Sequence, residues 1–150
     1  MRIALYQPDI PQNTGTISRM AACLGLPVDI IMPCGFPFSD RSLRRAGMDY
    51  LDQADISRHL DWAAFEAARA ADGGRLILLT TKAALSYTDH VFRADDVLLL
   101  GRESAGVPQK VHDAAGEHVL VPMARGMRSL NVAMAAAMVV GEALRQIESA

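Results

Sequence analysis

Two uninterrupted apolar runs place the strongest constraint on how this chain can fold. Residues 75–80 (RLILLT) and 97–100 (VLLL) lack the alternation of polar and apolar side chains that marks a half-exposed strand. Such runs are typical of central strands in a parallel sheet, because helices cover those strands on both faces. The core is therefore expected to be a parallel sheet buried between layers of helices.

The rest of the chain alternates between strand-like and helix-like segments. Further strands are predicted at 2–6, 28–32 and 118–121, and helices at 13–25, 40–47, 60–71, 107–115 and 128–147. Asn13 is expected to cap the first helix and Gly25 to end it. In 60–71, Leu60 and the alanines recur at helical spacing and are expected to form the buried face. This order predicts an α/β fold, a single domain over 1–150 with helices on both faces of one parallel sheet.

The last predicted helix has an unusual distribution of apolar residues. Residues 132–144 (VAMAAAMVVGEAL) are apolar on almost every face, and such a helix in a soluble chain must be buried on all sides. It is expected to pack against a second chain or to be wrapped by its own. The polar loop before it, 125–131, lies beside the free backbone donors of a helix N-terminus. This segment is predicted to be both a functional site and an association surface.

Charge and composition narrow the possible classes of protein. A formal net charge of −2 provides no overall attraction to nucleic acid, so an RNA site would have to be a local basic patch. The longest apolar stretch, 132–140, is too short to cross a bilayer. The start MRIALYQPDI lacks the apolar region of a signal peptide. We therefore expect a cytoplasmic protein without membrane contact.

Cysteines and histidines give no sign of a metal site. Cys23 and Cys34 fit neither a disulfide framework nor a CxxC site, so two reduced structural cysteines are expected. The four histidines, at positions 59, 90, 112 and 118, show no ligand spacing such as H-x-x-x-H. No metal is therefore expected.

The loop 101–108 (GRESAGVP) directly follows an apolar strand, at the kind of strand end where ligands of parallel sheets bind. Gly101 and Gly106 have the spacing of a phosphate loop, but Val107 and Pro108 occupy the positions that require Lys and Ser or Thr. Glu103 would also repel phosphates. A tight glycine loop with one carboxylate suits a neutral or cationic ligand.

The same loop nearly matches the nucleophile elbow of serine hydrolases, G-x-S-x-G. Arg102 replaces the first glycine of that motif, and its bulk disfavours the sharp turn that the motif needs. A hydrolase with Ser104 as nucleophile is therefore the less favoured alternative.

Four blocks in this order and spacing carry a family resemblance. They are NTGTISR (13–19), LRRAGMDY (43–50), LLLGRESAGVP (98–108) and VPMARGMRSLNVAMAAA (121–137). Together they resemble the SPOUT class of RNA methyltransferases, and within it the short ribose 2′-O-methyltransferases. The second block is most similar to the tRNA (cytidine(34)-2′-O)-methyltransferase family, which acts at the wobble nucleotide.

The resemblance implies a fold and an activity. The C-terminal part of a SPOUT sheet is tied into a trefoil knot, an exception to the rule that chains are unknotted. S-adenosylmethionine binds in the knot, and two knots pack together as a homodimer. The implied reaction methylates the ribose 2′-oxygen of cytidine or modified uridine 34 in the tRNA anticodon stem-loop, without a metal. The same chemistry on another RNA, such as ribosomal RNA, and a catalytically silent RNA-binding dimer are the alternatives.

The resemblance also assigns residues to roles. The methyl donor is expected to contact Leu79, Thr80, Gly101, Glu103, Gly106, Val121, Met123, Ser129, Leu130 and Asn131. Arg19 is expected near the target ribose as an electrostatic activator, since a guanidinium stays protonated and is a poor base. Arg128 and Ser129 would orient the substrate. The tRNA is expected to contact Asn13, Arg19, Arg44, Arg45, Lys82 and Arg125, although a solvated basic face is the competing interpretation for most of these cations.

Two departures from the family pattern stand out. The glycine loop commonly reads G-P-E-x-x-G-L, whereas Arg102 replaces the proline here and Val107 replaces the leucine. Both glycines and the glutamate are kept, so donor binding is still expected. Ala133 stands where a second small polar residue is usual, which weakens any catalytic role for that position.

Overall fold

The computed structural model describes residues 1–45 and 51–148. Within these ranges the chain forms a seven-stranded sheet in which all paired strands are parallel. The strands are β1 (Arg2–Tyr6), β2 (Val28–Ile31), β3 (Ile56–His59), β4 (Leu76–Leu79), β5 (Leu85–Ser86), β6 (Val97–Leu100) and β7 (Glu117–Leu120). Their order across the sheet is β3-β2-β1-β6-β4-β7-β5, so β6 lies between β1 and β4. The predicted parallel sheet is confirmed.

Helices cover both faces of this sheet. They are α1 (Pro11–Leu24), α2 (Asp40–Arg45), α3 (Trp62–Asp72), α4 (Gln109–Ala114) and α5 (Val132–Glu148), and a single 3₁₀ turn lies at Leu51–Gln53. On one face α1 and α5 contribute Ile17, Ala136 and Val140 to an apolar layer. On the other face α3 and α4 contribute Phe65 and Val111. The predicted α/β architecture is therefore confirmed.

The central strands are buried because their side chains alternate between the two apolar layers. In β6, Leu98 and Leu100 join the layer of α1 and α5, whereas Val97 and Leu99 join the layer of α3 and α4. Successive side chains of a strand point to opposite faces. A strand covered on both faces must therefore be apolar at every position, which explains the continuous runs in the sequence.

The first helix begins earlier than predicted. Ile10 is its N-cap in an extended conformation without a side-chain cap, and Pro11 occupies the first helical turn, where its missing N–H costs nothing. Asn13 lies inside the helix and is buried, so the prediction that it caps α1 is wrong. Gly25 ends the helix with a φ of 67°, as predicted.

The predicted buried face of the third helix is wrong. Asp61 caps α3 by accepting a hydrogen bond from the backbone N of Ala64 at 2.8 Å, and Leu60 lies before the helix with 83% of its surface exposed. Phe65 is the buried residue of this helix, while most of the alanines face outward. A phenylalanine offers far more apolar area than an alanine, so its position decides which face is buried.

Two strands at the edges of the sheet were not predicted. β3 (ISRH) contains two exposed polar residues, and β5 is only two residues long. Short or polar edge strands are common because a long apolar edge would promote aggregation. They form here because a neighbouring strand already presents unpaired backbone groups. The second half of the block 43–50 and the end of the helix predicted at 40–47 lie outside the described residues.

The last helix starts at Val132 and not at 128, because Asn131 caps it. The Asn131 Oδ1 accepts hydrogen bonds from the backbone N of Ala133 at 2.9 Å and of Met134 at 3.3 Å. One face of α5 is buried, but Met134 and Met138 on the opposite side are 64% and 42% exposed. Burial on all sides is therefore not achieved within a single chain. Among the described helices, none is both long and apolar enough to cross a membrane.

Candidate active site

A cavity of about 430 Å³ lies at the carboxyl ends of the central strands. Its walls come from the ends of β4 and β6, the segment after β7, the glycine loop and the start of α5. Ligands of open parallel sheets bind at this edge, and the volume suits a drug-sized molecule. The cavity is lined by Ile10, Asn13, Leu79, Thr80, Thr81, Leu100, Gly101, Arg102, Glu103, Gly106, Val121, Met123, Ser129, Leu130, Asn131, Val132 and Ala135.

Every residue expected to contact the methyl donor lines this one cavity. The fold thus brings together four separate stretches, at 79–80, 101–106, 121–123 and 129–131. That they bind the donor stays a prediction. The sequence interpretation missed Ile10, Thr81, Leu100, Arg102, Val132 and Ala135. Four of these six residues adjoin predicted site residues in the sequence. Ala135 lies one helical turn after Asn131, and Ile10 lies three residues before Asn13.

The glycine loop is closed by its own backbone. The N–H of Arg102 donates to the Gly106 carbonyl at 2.9 Å, and the N–H of Gly106 donates back at 2.8 Å. A Cβ on Gly101 would lie 2.7 Å from the Gly106 carbonyl carbon, and Gly106 itself has a φ of 65°. Both positions therefore require glycine, the first for space and the second for its left-handed backbone.

Asn13 connects three parts of the site. Its Nδ2 donates to Glu103 Oε1 at 3.2 Å, and its Oδ1 accepts from Asn131 Nδ2 at 2.9 Å. α1, the glycine loop and the cap of α5 are thereby held together. The side chain predicted to contact tRNA is thus buried and engaged within the protein.

Asp9 and Glu103 form a carboxyl pair beside the cavity. The backbone N–H of Asp9 donates to Glu103 Oε2 at 3.0 Å. Burial raises the pKa of Glu103, and the Asp9 carboxyl raises it further. The hydrogen bond from Glu103 is the largest of the causes that lower the pKa of Asp9 to about 2, and Ser104 and Arg102 act in the same direction.

Arg102, which departs from the family pattern, is anchored to the loop after β1. Its Nη1 donates to Gln7 Oε1 at 3.3 Å, and its Nε lies 3.5 Å from Asp9 Oδ2. The hydroxyl of Ser104 donates to the same carboxylate oxygen. Because Asp9 has a pKa of about 2, it is too weak a base to activate Ser104, which argues against the hydrolase alternative.

The predicted RNA-binding cations lie outside the lining of the cavity. Arg19 is exposed on α1, and Lys82 is exposed in the loop after β4. Arg125 and Arg128 are exposed in the loop between β7 and α5, which also supplies Ser129 to the cavity. On α2, Arg44 and Arg45 are exposed, and Arg44 forms an ion pair of 3.3 Å with Asp52. Arg19 is thus not brought to the cavity within a single chain.

No metal site is evident in the part of the chain that the structure describes. In those residues, no three His, Cys, Asp or Glu side chains are grouped so that they could hold an ion. Cys23 and Cys34 are both free thiols, in agreement with the sequence interpretation.

The fold and the cavity together define a class of methylase. The family model described as the SpoU rRNA Methylase family matches residues 1–141. A tRNA (cytidine(34)-2′-O)-methyltransferase of Beijerinckia indica subsp. indica is 62% identical over 145 residues, which are 97% of this chain and 91% of the relative. The chain therefore belongs to the SpoU methylases and, among them, to the tRNA (cytidine(34)-2′-O)-methyltransferase family.

Solved structures support the same placement. One, which gives structural insights into the 2-OH methylation of C/U34 on tRNA, has a TM-score of 0.92 and 39% identity, and the match covers 99% of this chain and 97% of the other. An AdoMet-bound rRNA methyltransferase from Sinorhizobium meliloti has a TM-score of 0.85 and 29% identity, over 96% of this chain and 55% of the other. The family indicated by the sequence motifs is confirmed.

Proposed function

We propose that the protein transfers a methyl group from S-adenosylmethionine to the ribose 2′-oxygen of nucleotide 34, a cytidine or modified uridine, in tRNA. The observation that carries this proposal is the convergence of the four motif stretches on one cavity at the strand ends. The high identity to tRNA (cytidine(34)-2′-O)-methyltransferases over nearly the whole chain supports the substrate.

The residues of the cavity fit the methyl donor. S-adenosylmethionine has a flat adenine ring, a ribose with two hydroxyls, a sulfonium cation and a polar amino-acid end. The cavity offers the apolar side chains of Leu79, Val121, Met123 and Leu130, together with the Glu103 carboxyl. The missing Cβ of Gly101 leaves the backbone of the loop open to close approach. When bound, the donor supplies an electrophilic methyl group, and these side chains hold and orient it.

The ribose is activated by a cation, Arg19, that a second copy of the chain supplies to the site. A ribose hydroxyl is a poor nucleophile, and negative charge grows on its oxygen as the methyl group arrives. A guanidinium stabilises this charge without accepting a proton, which is the role of Arg19. Ser129 lines the cavity next to the exposed Arg128, so these two residues orient the ribose beside the donor.

The anticodon stem-loop binds through exposed cations on α2 and in the loops after β4 and β7. Arg44, Arg45, Lys82 and Arg125 are all exposed, which supports their proposed role as contacts to backbone phosphates. Phosphate contacts provide most of the binding free energy and need no global positive charge. A protein with a net charge of −2 binds tRNA through such a local patch.

A second copy of the chain completes the enzyme. Met134 and Met138 are exposed and lie four residues apart, so they form one apolar stripe along α5. An apolar stripe of this kind marks an association surface. The homodimer brings Arg19 of one copy toward the cavity of the other. Each chain is a single domain with a C-terminal trefoil knot and works in the cytoplasm, where tRNA is found.

The test is a methyl-transfer assay with labelled S-adenosylmethionine. Unmodified tRNA transcripts are expected to be labelled, and ribosomal RNA is expected to remain unlabelled. A matched transcript with 2′-deoxyribose at nucleotide 34 should accept no label, because the attacking oxygen is missing. Labelling of ribosomal RNA would establish a different substrate, and donor binding without turnover on any RNA would point to a silent RNA-binding dimer.

A further inference from the structure

The Asp9–Glu103 pair has one unsatisfied oxygen. Both Glu103 oxygens accept hydrogen bonds, one from the Asp9 backbone N–H and one from Asn13 Nδ2. Asp9 Oδ1 is buried and receives no hydrogen bond from any described residue while both carboxyls are ionised. The Asp9 backbone N–H binds the Glu103 carboxyl, and a single proton held between the two carboxyl groups would satisfy this oxygen.

The surroundings of the pair decide which member holds that proton. The Ser104 hydroxyl and the Arg102 guanidinium both stabilise the ionised form of Asp9. Both acids are half-buried, and for Glu103 burial followed by the Asp9 carboxyl raises the pKa. The shared proton therefore resides on Glu103, which is also the member that lines the cavity.

Other charged or titratable groups near Glu103 do not replace this proton. Burial, and then Glu103 itself, raise the pKa of the Cys34 thiol to about 11, so Cys34 is neutral near pH 7. From α1 and from the start of α5 the facing side chains are Asn13 and Asn131, which carry no charge. Arg102 is bound to Asp9 and holds that carboxylate in its ionised form.

The charge of the cavity thus depends on one proton, and the two ligands of the proposed reaction differ by one charge. Methyl transfer breaks the bond from sulfur to methyl, forms the bond from oxygen to methyl, and turns the sulfonium into a neutral sulfide. The proton of the ribose hydroxyl is released to solvent water as the new bond forms. A cation entering the cavity favours ionised Glu103, whereas the neutral sulfide does not.

On the basis of the proposed function, we infer that the Asp9–Glu103 pair discriminates the cationic methyl donor from its neutral product by releasing the shared proton when the donor binds. Glu103 faces the ligand, and Asp9 is a positioning residue that acts through it. The discrimination lets the product leave a site that still prefers the donor.

Calorimetry of the intact protein tests this inference directly. S-adenosylmethionine and S-adenosylhomocysteine are titrated in buffers of different ionisation enthalpy, and the difference in heat counts the protons released. The donor should release more protons than the product at a pH where Glu103 is protonated in the ligand-free protein. The ratio of donor affinity to product affinity should rise with pH, by at most about tenfold per pH unit. Equal proton release for the two ligands would overturn the inference.

Two variants and one control sharpen the test. Glu103→Gln cannot ionise, so proton release and the pH dependence of the affinity ratio should both disappear. Asp9→Asn removes the neighbouring negative charge, so the pH dependence should move to lower pH. Asp113→Asn, an exposed carboxyl on α4 outside the cavity lining, should behave like the wild type. An unchanged pH dependence in Glu103→Gln would also contradict the inference.

The possible outcomes test the inference and the proposed function independently of each other. Binding of both ligands with equal proton release would overturn the inference alone. A protein that discriminates the ligands as described but methylates no tRNA would overturn the proposed substrate alone. If neither ligand binds, the donor assignment and the inference both fail.

Discussion

Asn131 donates a hydrogen bond of 2.9 Å from its Nδ2 to the Oδ1 of Asn13, across a separation of 118 residues in the chain. The same Asn131 side chain caps α5 through its Oδ1, and Asn13 in turn donates to Glu103. The contact therefore ties the helix that bears Arg19 to the loop and the helix that enclose the cavity. A substitution at either residue should therefore alter the position of the other.

Asn131→Ala should lower both stability and donor affinity. Losing the cap of α5 costs about 1 kcal/mol of the free energy of unfolding, and losing the contact with Asn13 loosens the cavity wall. Asn131→Ser is the matched control, because serine restores the cap but is too short to reach Asn13. Chemical unfolding and calorimetric titration separate the two effects. If the serine variant binds the donor as weakly as the alanine variant, donor affinity depends on the Asn131 amide, through Asn13 or through the donor itself, and not on the cap.

Gly101→Ala should abolish donor binding. The added Cβ would lie 2.7 Å from the carbonyl carbon of Gly106, so the glycine loop would have to open. Ligand binding raises the melting temperature by mass action, and the variant should lose this shift. Gly116→Ala is the control, because its Cβ would meet no atom within 4 Å. Retention of the full shift in Gly101→Ala would contradict the assignment of the loop.

Arg19→Ala should reduce methyl transfer by about a hundredfold or more while donor binding stays nearly normal. Arg19 lies outside the cavity lining, so its loss leaves the donor site intact. Arg19→Lys should restore only part of the rate, since a point charge cannot replace the guanidinium fork. Single-turnover assays on tRNA transcript, with exposed Arg93→Ala as control, provide the measurement. Near-normal turnover in Arg19→Ala would remove Arg19 from the mechanism.

Met134→Glu combined with Met138→Glu should yield a folded monomer. Both side chains are exposed on α5, so charges there disrupt association without disturbing the core. By contrast, Ala136 and Val140 are fully buried within the chain, and a charge at either should unfold it. Light scattering and circular dichroism distinguish these outcomes. A wild-type protein that is already monomeric at micromolar concentration would refute the dimer.

Glu103→Gln should be more stable than the wild type, and the difference in the free energy of unfolding should increase with pH. A raised pKa in the folded state means that Glu103 favours folding while protonated and opposes it once ionised. The difference should therefore be small below the ordinary glutamate pKa, about 4.3, and grow as pH rises above it. Asp9 acts in the opposite sense, because its lowered pKa adds stability that is lost as pH falls toward 2. Urea unfolding of ligand-free protein at several pH values tests this, and a pH-independent difference would contradict it.

Local sequence patterns determined the central strands, because burial on both faces demands an apolar residue at every position. β1 and β6 have the predicted bounds, β2 ends one residue earlier than predicted, β4 is one residue shorter at each end, and β7 is shifted by one residue. The motif stretches at 79–80, 101–106, 121–123 and 129–131 also indicated the lining of the cavity, since each follows a strand or begins a helix at the same edge of the sheet.

Other features were decided only by tertiary structure. β3 and β5 depend on a neighbouring strand, and Phe65 sets the buried face of α3 because of the surface that the sheet presents to it. Asn13 is a buried connector and not the predicted cap, because its partners Glu103 and Asn131 come from distant parts of the chain. The Asp9–Glu103 pair likewise exists only once β1 and β6 lie side by side. The burial of a strand can be predicted from the apolar residues of that strand alone, whereas a hydrogen bond between distant side chains depends on how the whole chain packs.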